Sequence, residues 1–322
     1  MTLSALNTPD YAGTGKKQRG GKIMTQEEIV KKRQELVHTM FSSTGDDFVR
    51  LVLENCRGGV SALSPEMRER MHAEEFSWEG FPWYKLRVGE PKGKTRKILY
   101  LHGGGWVMDS GVAQYNFAEY LATETGAEIW FPEYPIIPEH NGKQALDMAM
   151  YLYREMLKEC PGEAIAMGGD SAGGGLAVSV ALAINEEGLD KPNNLFLVSP
   201  GCNCGGTPRN AEEKAYEDLL LERDPIVSTK AFPTALKLWA GPLDIDDWRV
   251  NPMRGDLKNL PPMLIFAGGH EAMELGIRQF VEEAIRQDAD VVYYVKNFEG
   301  HAYVMYYPYA REERQMIVNR LL

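Results

Sequence analysis

Short apolar runs alternate with stretches of helical periodicity along most of this 322-residue chain, and this alternation constrains the fold most. The runs typical of buried strands are residues 97–101, 128–131, 164–167, 195–198, 263–267 and 291–295. The helical stretches between and after them are residues 113–125, 143–159, 174–187, 274–287 and 310–322. Strands that alternate with helices predict an α/β fold, with a mostly parallel central sheet flanked by helices on both faces. An earlier segment, residues 81–88, alternates apolar and polar residues and is predicted to be an exposed edge strand.

Two segments depart from this alternation and predict a helical cap. Residues 25–75 carry helical patterns before the first buried strand, and residues 201–250 combine glycines with two helix-like stretches. An excursion after a strand of a doubly wound sheet lies at the carboxyl edge, where ligands bind. We therefore predict a flexible N-terminal arm at residues 1–24 and a helical cap segment at residues 25–75. An α/β domain then follows over residues 76–322, with a second cap insertion at about 201–250.

Composition argues against several classes of protein. The chain has 35 Lys and Arg against 46 Asp and Glu, a net charge of −11 that disfavours a nucleic-acid partner. No apolar run reaches the roughly 18 residues that a membrane-spanning helix requires, so no integral membrane association is expected. Its four cysteines form no CxxC pair and no zinc-site spacing, and no secretory signal is recognisable. We expect a cytoplasmic protein without a metal or an organic cofactor.

The strongest chemical motif is the pentapeptide from Gly169 to Gly173, with Ser171 at its centre. It follows the predicted strand at 164–167 and opens the next helix, as a G-x-S-x-G nucleophile elbow does. Such an elbow presents the serine hydroxyl at the strand tip and directs the helix N-terminus toward developing negative charge. The motif predicts that Ser171 is a catalytic nucleophile.

A second motif, His102-Gly-Gly-Gly-Trp106, follows the first buried strand. Consecutive glycines allow backbone N–H groups to turn toward a ligand without obstruction by a Cβ atom. A phosphate-binding loop would continue with Lys and Ser or Thr, whereas this one continues with Trp and Val. We predict an oxyanion hole formed by the N–H groups of Gly103, Gly104 and Ala172.

Together, HGGGW and, about seventy residues later, GDSAGG make the chain resemble the hormone-sensitive-lipase-like branch of the α/β-hydrolases. The resemblance runs from about residue 97 to the C-terminus. It implies an α/β-hydrolase fold with a helical cap and carboxylesterase activity on small acyl esters. The sequence departs from the family at Pro135, where Arg is usual, and at residues 142–143, where Gly-Lys replaces the usual Phe-Pro.

A serine nucleophile needs a base, and six histidines are available. His301 lies in a loop just after the last predicted strand, and it satisfies the chain order of serine, acid and histidine. His270 is an alternative base, although it precedes the predicted acid in the chain. We predict that His301 activates Ser171.

The acid is expected in the loop after the predicted strand at 263–267. Members of the family commonly have Asp there, and a Glu variant also occurs. We predict that Glu271 is the acid. Glu274 is the alternative, although it is expected to lie on the following helix and to face solvent.

Two residues beside these motifs are predicted to support them rather than to react. Adjacent side chains on a tight turn point apart, so Asp170 cannot orient the base that serves Ser171. We expect Asp170 to brace the loop of residues 102–106, called the glycine loop below, and His102 to make a structural hydrogen bond within it.

These observations predict a serine carboxylesterase that hydrolyses short-chain acyl esters, of roughly two to six carbons, through an acyl-enzyme intermediate. An amidase or peptidase with the same triad and a catalytically quiet small-molecule-binding protein of hydrolase fold remain as alternatives. A dinucleotide-binding site at 168–174 is disfavoured because the pattern is not G-x-G-x-x-G. The expected partner is a small ester substrate, and the sequence leaves open whether the chain forms a homodimer.

Overall fold

The computed structural model describes residues 26–56, 62–204, 206–305 and 310–322, and the predicted arm at 1–24 lies outside these residues. An eight-stranded sheet forms the centre of the molecule. Its strands are β1 Glu74–Trp78, β2 Phe81–Leu86, β3 Lys97–Leu101, β4 Glu128–Pro132, β5 Ile165–Asp170, β6 Leu195–Val198, β7 Met263–Gly268 and β8 Val291–Lys296. The order is β1-β2-β4-β3-β5-β6-β7-β8, and every pairing is parallel except those of β2 with β1 and β4. The predicted α/β fold is confirmed.

Helices cover both faces of this sheet. They are α1 Gln26–Phe41, α2 Gly45–Asn55, α3 Pro65–Arg70, α4 Val112–Thr125, α5 Gly142–Glu159, α6 Ser171–Glu186, α7 Ala211–Arg223, α8 Phe232–Ala240, α9 Glu274–Arg286 and α10 Arg311–Leu321. Successive side chains of a strand point to opposite faces. On β3, Leu99 and Leu101 accordingly pack in the core that holds α5 and α6, whereas Ile98 and Tyr100 pack in the core that holds α4 and α10. Within the described ranges, no helix has the length and hydropathy needed to cross a membrane.

The strand predicted at the sheet edge is an internal strand, so that prediction was wrong. β2 lies between β1 and β4, and β1 is the edge strand on that side of the sheet. Phe76 of β1 stacks on Trp83 of β2 with ring centroids 4.5 Å apart, and Trp83 is buried. β1 escaped prediction because it is five residues long and mostly exposed, so its pattern resembles that of a loop.

The segment predicted as a single cap, residues 25–75, is divided between the two faces of the sheet. Phe41 at the end of α1 contacts Phe48 of α2 and Phe232 of α8, with ring centroids 6.0 and 6.2 Å away. These helices therefore pack beside the 201–250 insertion. In contrast, Met67 of α3 is buried in the opposite core. The final residues of the segment lie in β1, because that strand begins at Glu74.

Candidate active site

The serine turn is formed where β5 ends at Asp170 and α6 begins at Ser171. Ser171 has φ of 50°, in the left-handed region that non-glycine residues seldom adopt. A Cβ atom added at Gly169 or at Gly173 would overlap the carbonyl oxygen of Leu101, so both positions require glycine. The backbone thus holds the Ser171 hydroxyl in a strained conformation at the tip of β5, and such strain is typical of functional sites.

The structure brings the three predicted triad residues together. His301 Nε2 lies 2.9 Å from Ser171 Oγ, and His301 Nδ1 lies 2.6 Å from Glu271 Oε2. Glu271 is fully buried, and its second oxygen accepts a hydrogen bond of 3.0 Å from the N–H of Gly268. The nucleophile, base and acid are thus joined in one chain of hydrogen bonds, which is the arrangement that activates a serine.

Neither of the alternative residues, His270 and Glu274, takes part in this chain of hydrogen bonds. The ring of His270 lies edge-on to Phe298 at 5.3 Å, and its Nε2 is 3.5 Å from Arg223 Nη1. Glu274 is buried with 4% of its surface exposed, so the expectation that it faces solvent was wrong. The first turn of α9 packs toward β8, where Glu274 accepts a hydrogen bond from the Tyr293 hydroxyl.

The electrostatic surroundings of His301 favour its protonated form. Burial by itself lowers the pKa of His301, and the hydrogen bond and negative charge of Glu271 act against burial to raise it. Asp224 and Asp170 contribute further negative charge. The pKa of His301 is therefore raised above its ordinary value of 6.5.

This raised pKa predicts the pH dependence of catalysis. A general base must be neutral, so kcat/KM should rise with pH through the pKa of His301 and then level off, with the midpoint above 6.5. Glu271→Gln removes the charge that contributes most to raising this pKa, so its residual activity should rise at lower pH than wild type. Steady-state kinetics on a soluble aryl ester between pH 5 and 9 measures both midpoints. A Glu271→Gln midpoint equal to or above that of wild type contradicts this account.

The N–H group of Gly103, predicted to be an oxyanion-hole donor, has a different partner in the structure. Its N–H donates a 2.9 Å hydrogen bond to Asp170 Oδ1, so it has no proton free for an oxyanion. The N–H groups of Gly104 and Gly105 donate to no acceptor among the described residues, and both glycines line the cavity at Ser171. The Ala172 N–H is in the first turn of α6, where backbone donors have no intrahelical acceptor. Gly105, which sequence analysis missed, thus replaces Gly103 as a donor candidate.

Asp170 contacts the glycine loop rather than the base. Its Oδ1 accepts hydrogen bonds from the Tyr100 hydroxyl at 2.7 Å and from the Gly103 N–H. Its Oδ2 accepts one of 3.1 Å from Gln114 Nε2. With 3% of its surface exposed, Asp170 lies where a brace between β5 and the glycine loop requires it.

His102 makes its contacts within the same loop. Its ring is buried and stacks on Tyr134 with centroids 4.4 Å apart, and the Tyr134 hydroxyl donates to the His102 carbonyl oxygen. Because a carbonyl oxygen only accepts, the 2.7 Å contact between His102 Nδ1 and the Gly103 oxygen places a proton on Nδ1. These contacts fix the direction in which the glycine loop leaves β3.

A cavity of about 260 Å³ opens at the Ser171 hydroxyl. Gly104, Gly105 and His301 line its reactive end. Much of its wall is formed by apolar side chains. They come from α1, the segment just after the glycine loop, the 201–250 insertion and the loop after β7, and they are Val37, Phe41, Met108, Ile226, Val227 and Met273. Across the described residues, no group of three or more His, Cys, Asp or Glu side chains could hold a metal ion.

Comparison with known proteins finds the same fold. A family model described as the alpha/beta hydrolase fold matches residues 98–305. An acetyl-hydrolase of Streptomyces hygroscopicus is 27% identical over 233 residues, which cover 72% of this chain and 75% of that protein. Human hormone-sensitive lipase is 32% identical over 153 residues, which cover 44% of this chain but only 14% of the lipase. The predicted resemblance to the hormone-sensitive-lipase-like branch is thereby confirmed.

A solved structure agrees over almost the whole chain. An esterase from the bacterial hormone-sensitive lipase family superposes with a TM-score of 0.71 at 23% identity, covering 90% of this chain and 95% of that one. At this identity the likeness establishes the fold.

Proposed function

The chain belongs to the α/β-hydrolase fold family, and from this premise we propose that it is a serine carboxylesterase acting through an acyl-enzyme intermediate. The observation that carries the proposal is the hydrogen-bonded chain from Ser171 through His301 to Glu271. It lies at the end of a cavity lined by Gly104 and Gly105, whose N–H groups donate to no acceptor in the part of the chain that the structure describes. The names of its relatives, an acetyl-hydrolase and a lipase, support ester hydrolysis.

In the proposed acylation step, Ser171 Oγ attacks the ester carbonyl carbon while His301 Nε2 accepts the hydroxyl proton. Glu271 holds the imidazole ring and stabilises its positive charge. The negative charge on the former carbonyl oxygen is bound by the N–H groups of Gly104, Gly105 and Ala172. The protonated His301 then donates its proton to the departing alcohol oxygen, which leaves the acyl group on Ser171.

In the proposed deacylation step, water enters the space left by the alcohol. His301 removes a proton from this water as it attacks the acyl carbon, and the same N–H groups bind the second oxyanion. Ser171 Oγ then leaves and takes the proton back from His301, releasing the carboxylic acid. This cycle needs only the groups already described and water.

We predict selectivity for short acyl chains, because side chains of α1 and of the 201–250 insertion form part of the cavity wall. α1 and the 201–250 insertion contribute Phe41 and Val227 to its wall, so a long acyl chain would have to displace packed side chains. We expect kcat/KM for p-nitrophenyl esters to be highest for acyl groups of roughly two to six carbons and to fall for longer chains. A series from acetate to palmitate, assayed below the solubility limit of each ester, measures this.

The same series tests the proposed function as a whole. Amides with the same acyl groups should be cleaved far more slowly than the esters. Long-chain triglyceride emulsions as the better substrate would contradict the size argument. Preferential amide cleavage would favour the amidase alternative, and the absence of turnover with any ester would favour a binding protein.

A further inference from the structure

A buried carboxylate outside the triad connects the cap insertion to the loop that carries Glu271. Asp224 follows α7 and has 2% of its surface exposed. Its Oδ1 accepts hydrogen bonds of 2.8 and 2.9 Å from the N–H groups of Ile226 and Val227. Its Oδ2 accepts one of 2.8 Å from the N–H of Ala272, 48 residues further along the chain.

Both ends of this connection lie at the cavity or directly beside a residue that lines it. Ile226 and Val227 form part of its wall. Ala272 directly follows Glu271 and directly precedes Met273, which also lines the cavity. One side chain therefore fixes the distance between the cap wall and the backbone that positions the triad acid.

The charge of Asp224 has no cationic partner among the described residues. Its three hydrogen-bond donors are neutral backbone groups, and the guanidinium of neighbouring Arg223 is directed at His270 instead. Three backbone N–H dipoles therefore point at the Asp224 carboxylate, between the cavity wall and the loop that carries Glu271.

Three carboxylates from different elements influence His301: Glu271 from the loop after β7, Asp224 from the cap insertion and Asp170 from the end of β5. Each of them raises the pKa of His301 against the effect of burial. Glu271 contacts the imidazole directly, and Asp170 is bound by the donors of the glycine loop. Asp224 therefore acts on the imidazole from outside the hydrogen-bonded triad.

We infer that Asp224 is a positioning residue for the proposed ester hydrolysis, which holds the cap wall against the Glu271 loop and supplies negative charge toward His301. The inference rests on the proposed function, since it assigns Asp224 a role in the same reaction. Asp224 would also couple the cap insertion to catalysis. Because its carboxylate binds both segments, a displacement of the Ile226 and Val227 turn would also displace Ala272, the residue after Glu271.

Asp224→Asn tests this inference, because an amide has one acceptor oxygen instead of two. That oxygen can keep the two bonds of the Ile226 and Val227 turn, but the NH₂ group then faces the Ala272 N–H and the connection is lost. Asp224→Glu keeps the charge but misplaces it by one methylene. Asp218→Asn is the matched control, since Asp218 lies on α7 with 61% of its side chain exposed and pairs with Lys214.

The expected result has two parts, measured on folded variants of matched melting temperature. Asp224→Asn should lower kcat roughly 10- to 100-fold and move the rising limb of the pH profile to lower pH. Asp224→Glu should lower kcat but keep the wild-type limb, and Asp218→Asn should match wild type in both. If Asp224→Asn does not fold, the inference is tested by Asp224→Glu alone, which should lower kcat and keep the wild-type pH limb.

The inference is overturned if Asp224→Asn behaves like Asp218→Asn, or if Asp224→Glu displaces the pH limb in the same direction as Asp224→Asn. This outcome differs from failure of the proposed function. If only the inference about Asp224 fails, wild type still hydrolyses esters in a Ser171-dependent reaction, and the Asp224 variants alone depart from the expected results. If the proposed function fails, wild type itself shows no Ser171-dependent ester hydrolysis.

Discussion

Ser171→Ala should lower kcat for a short aryl ester by about 10⁴- to 10⁶-fold, the range found when a serine hydrolase loses its nucleophile. The substitution deletes the only atom that forms the covalent intermediate in the proposed mechanism. It leaves the glycines of the turn and the backbone of β5 and α6 unchanged, so the melting temperature should change little. The residual rate comes from substrate binding and the backbone donors alone.

A serine in the same helix provides the control for this prediction. Ser179 is buried in α6, and its hydroxyl donates to the carbonyl oxygen of Trp248, away from the cavity. Ser179→Ala should keep kcat close to wild type. If Ser171→Ala retained activity within about tenfold of the Ser179→Ala enzyme, another group would have to be the nucleophile.

His301→Gln should reduce kcat by a comparable factor of about 10⁴ to 10⁶, because the base and the nucleophile act as one unit. Glutamine can hydrogen-bond, but it cannot accept the Ser171 proton and return it to the leaving alcohol. The rising limb of the pH profile should disappear from whatever activity remains. Rate measurements at several pH values on the purified variant provide both quantities.

His270→Gln is the matched control for the base. The ring of His270 contacts Phe298 and approaches Arg223, so its loss should leave the pH profile in place. A His270→Gln enzyme that lost both rate and pH limb, beside an active His301→Gln enzyme, would reverse the assignment.

The proximity of Ser171, His301 and Glu271 could be predicted because the signals for it are local and ordered along the chain. Ser171 lies in a motif whose glycines are required by close backbone contacts, and His301 follows a recognisable strand. In a parallel sheet, loops after successive strands meet at one edge, so chain order was enough to select Glu271.

The roles of the three glycines were not predictable from sequence. They are chemically identical, and only the fold shows that the first one donates to Asp170. The buried position of Glu274 similarly depends on how α9 packs against β8, where Tyr293 provides a donor. Such contacts join residues 19 to 67 positions apart, beyond the reach of local periodicity.

The same limit applies to the segment that was predicted to be a cap. The pattern of residues 25–75 indicates helices, but periodicity does not show which face of the sheet each helix covers. α1 contributes to the cavity wall, and α3 packs in the opposite core. Asp224 carries no sequence signal at all, because its importance depends on a contact with Ala272 that only the fold creates.

The central claim, that Ser171 is the covalent nucleophile of an esterase, is tested most directly by labelling with a fluorophosphonate and mapping the adduct by peptide mass spectrometry. We expect one adduct per chain, located on Ser171, formed in step with the loss of ester hydrolysis and absent from the Ser171→Ala variant. An adduct on any other residue, or full ester hydrolysis after Ser171 has been labelled, would contradict the account.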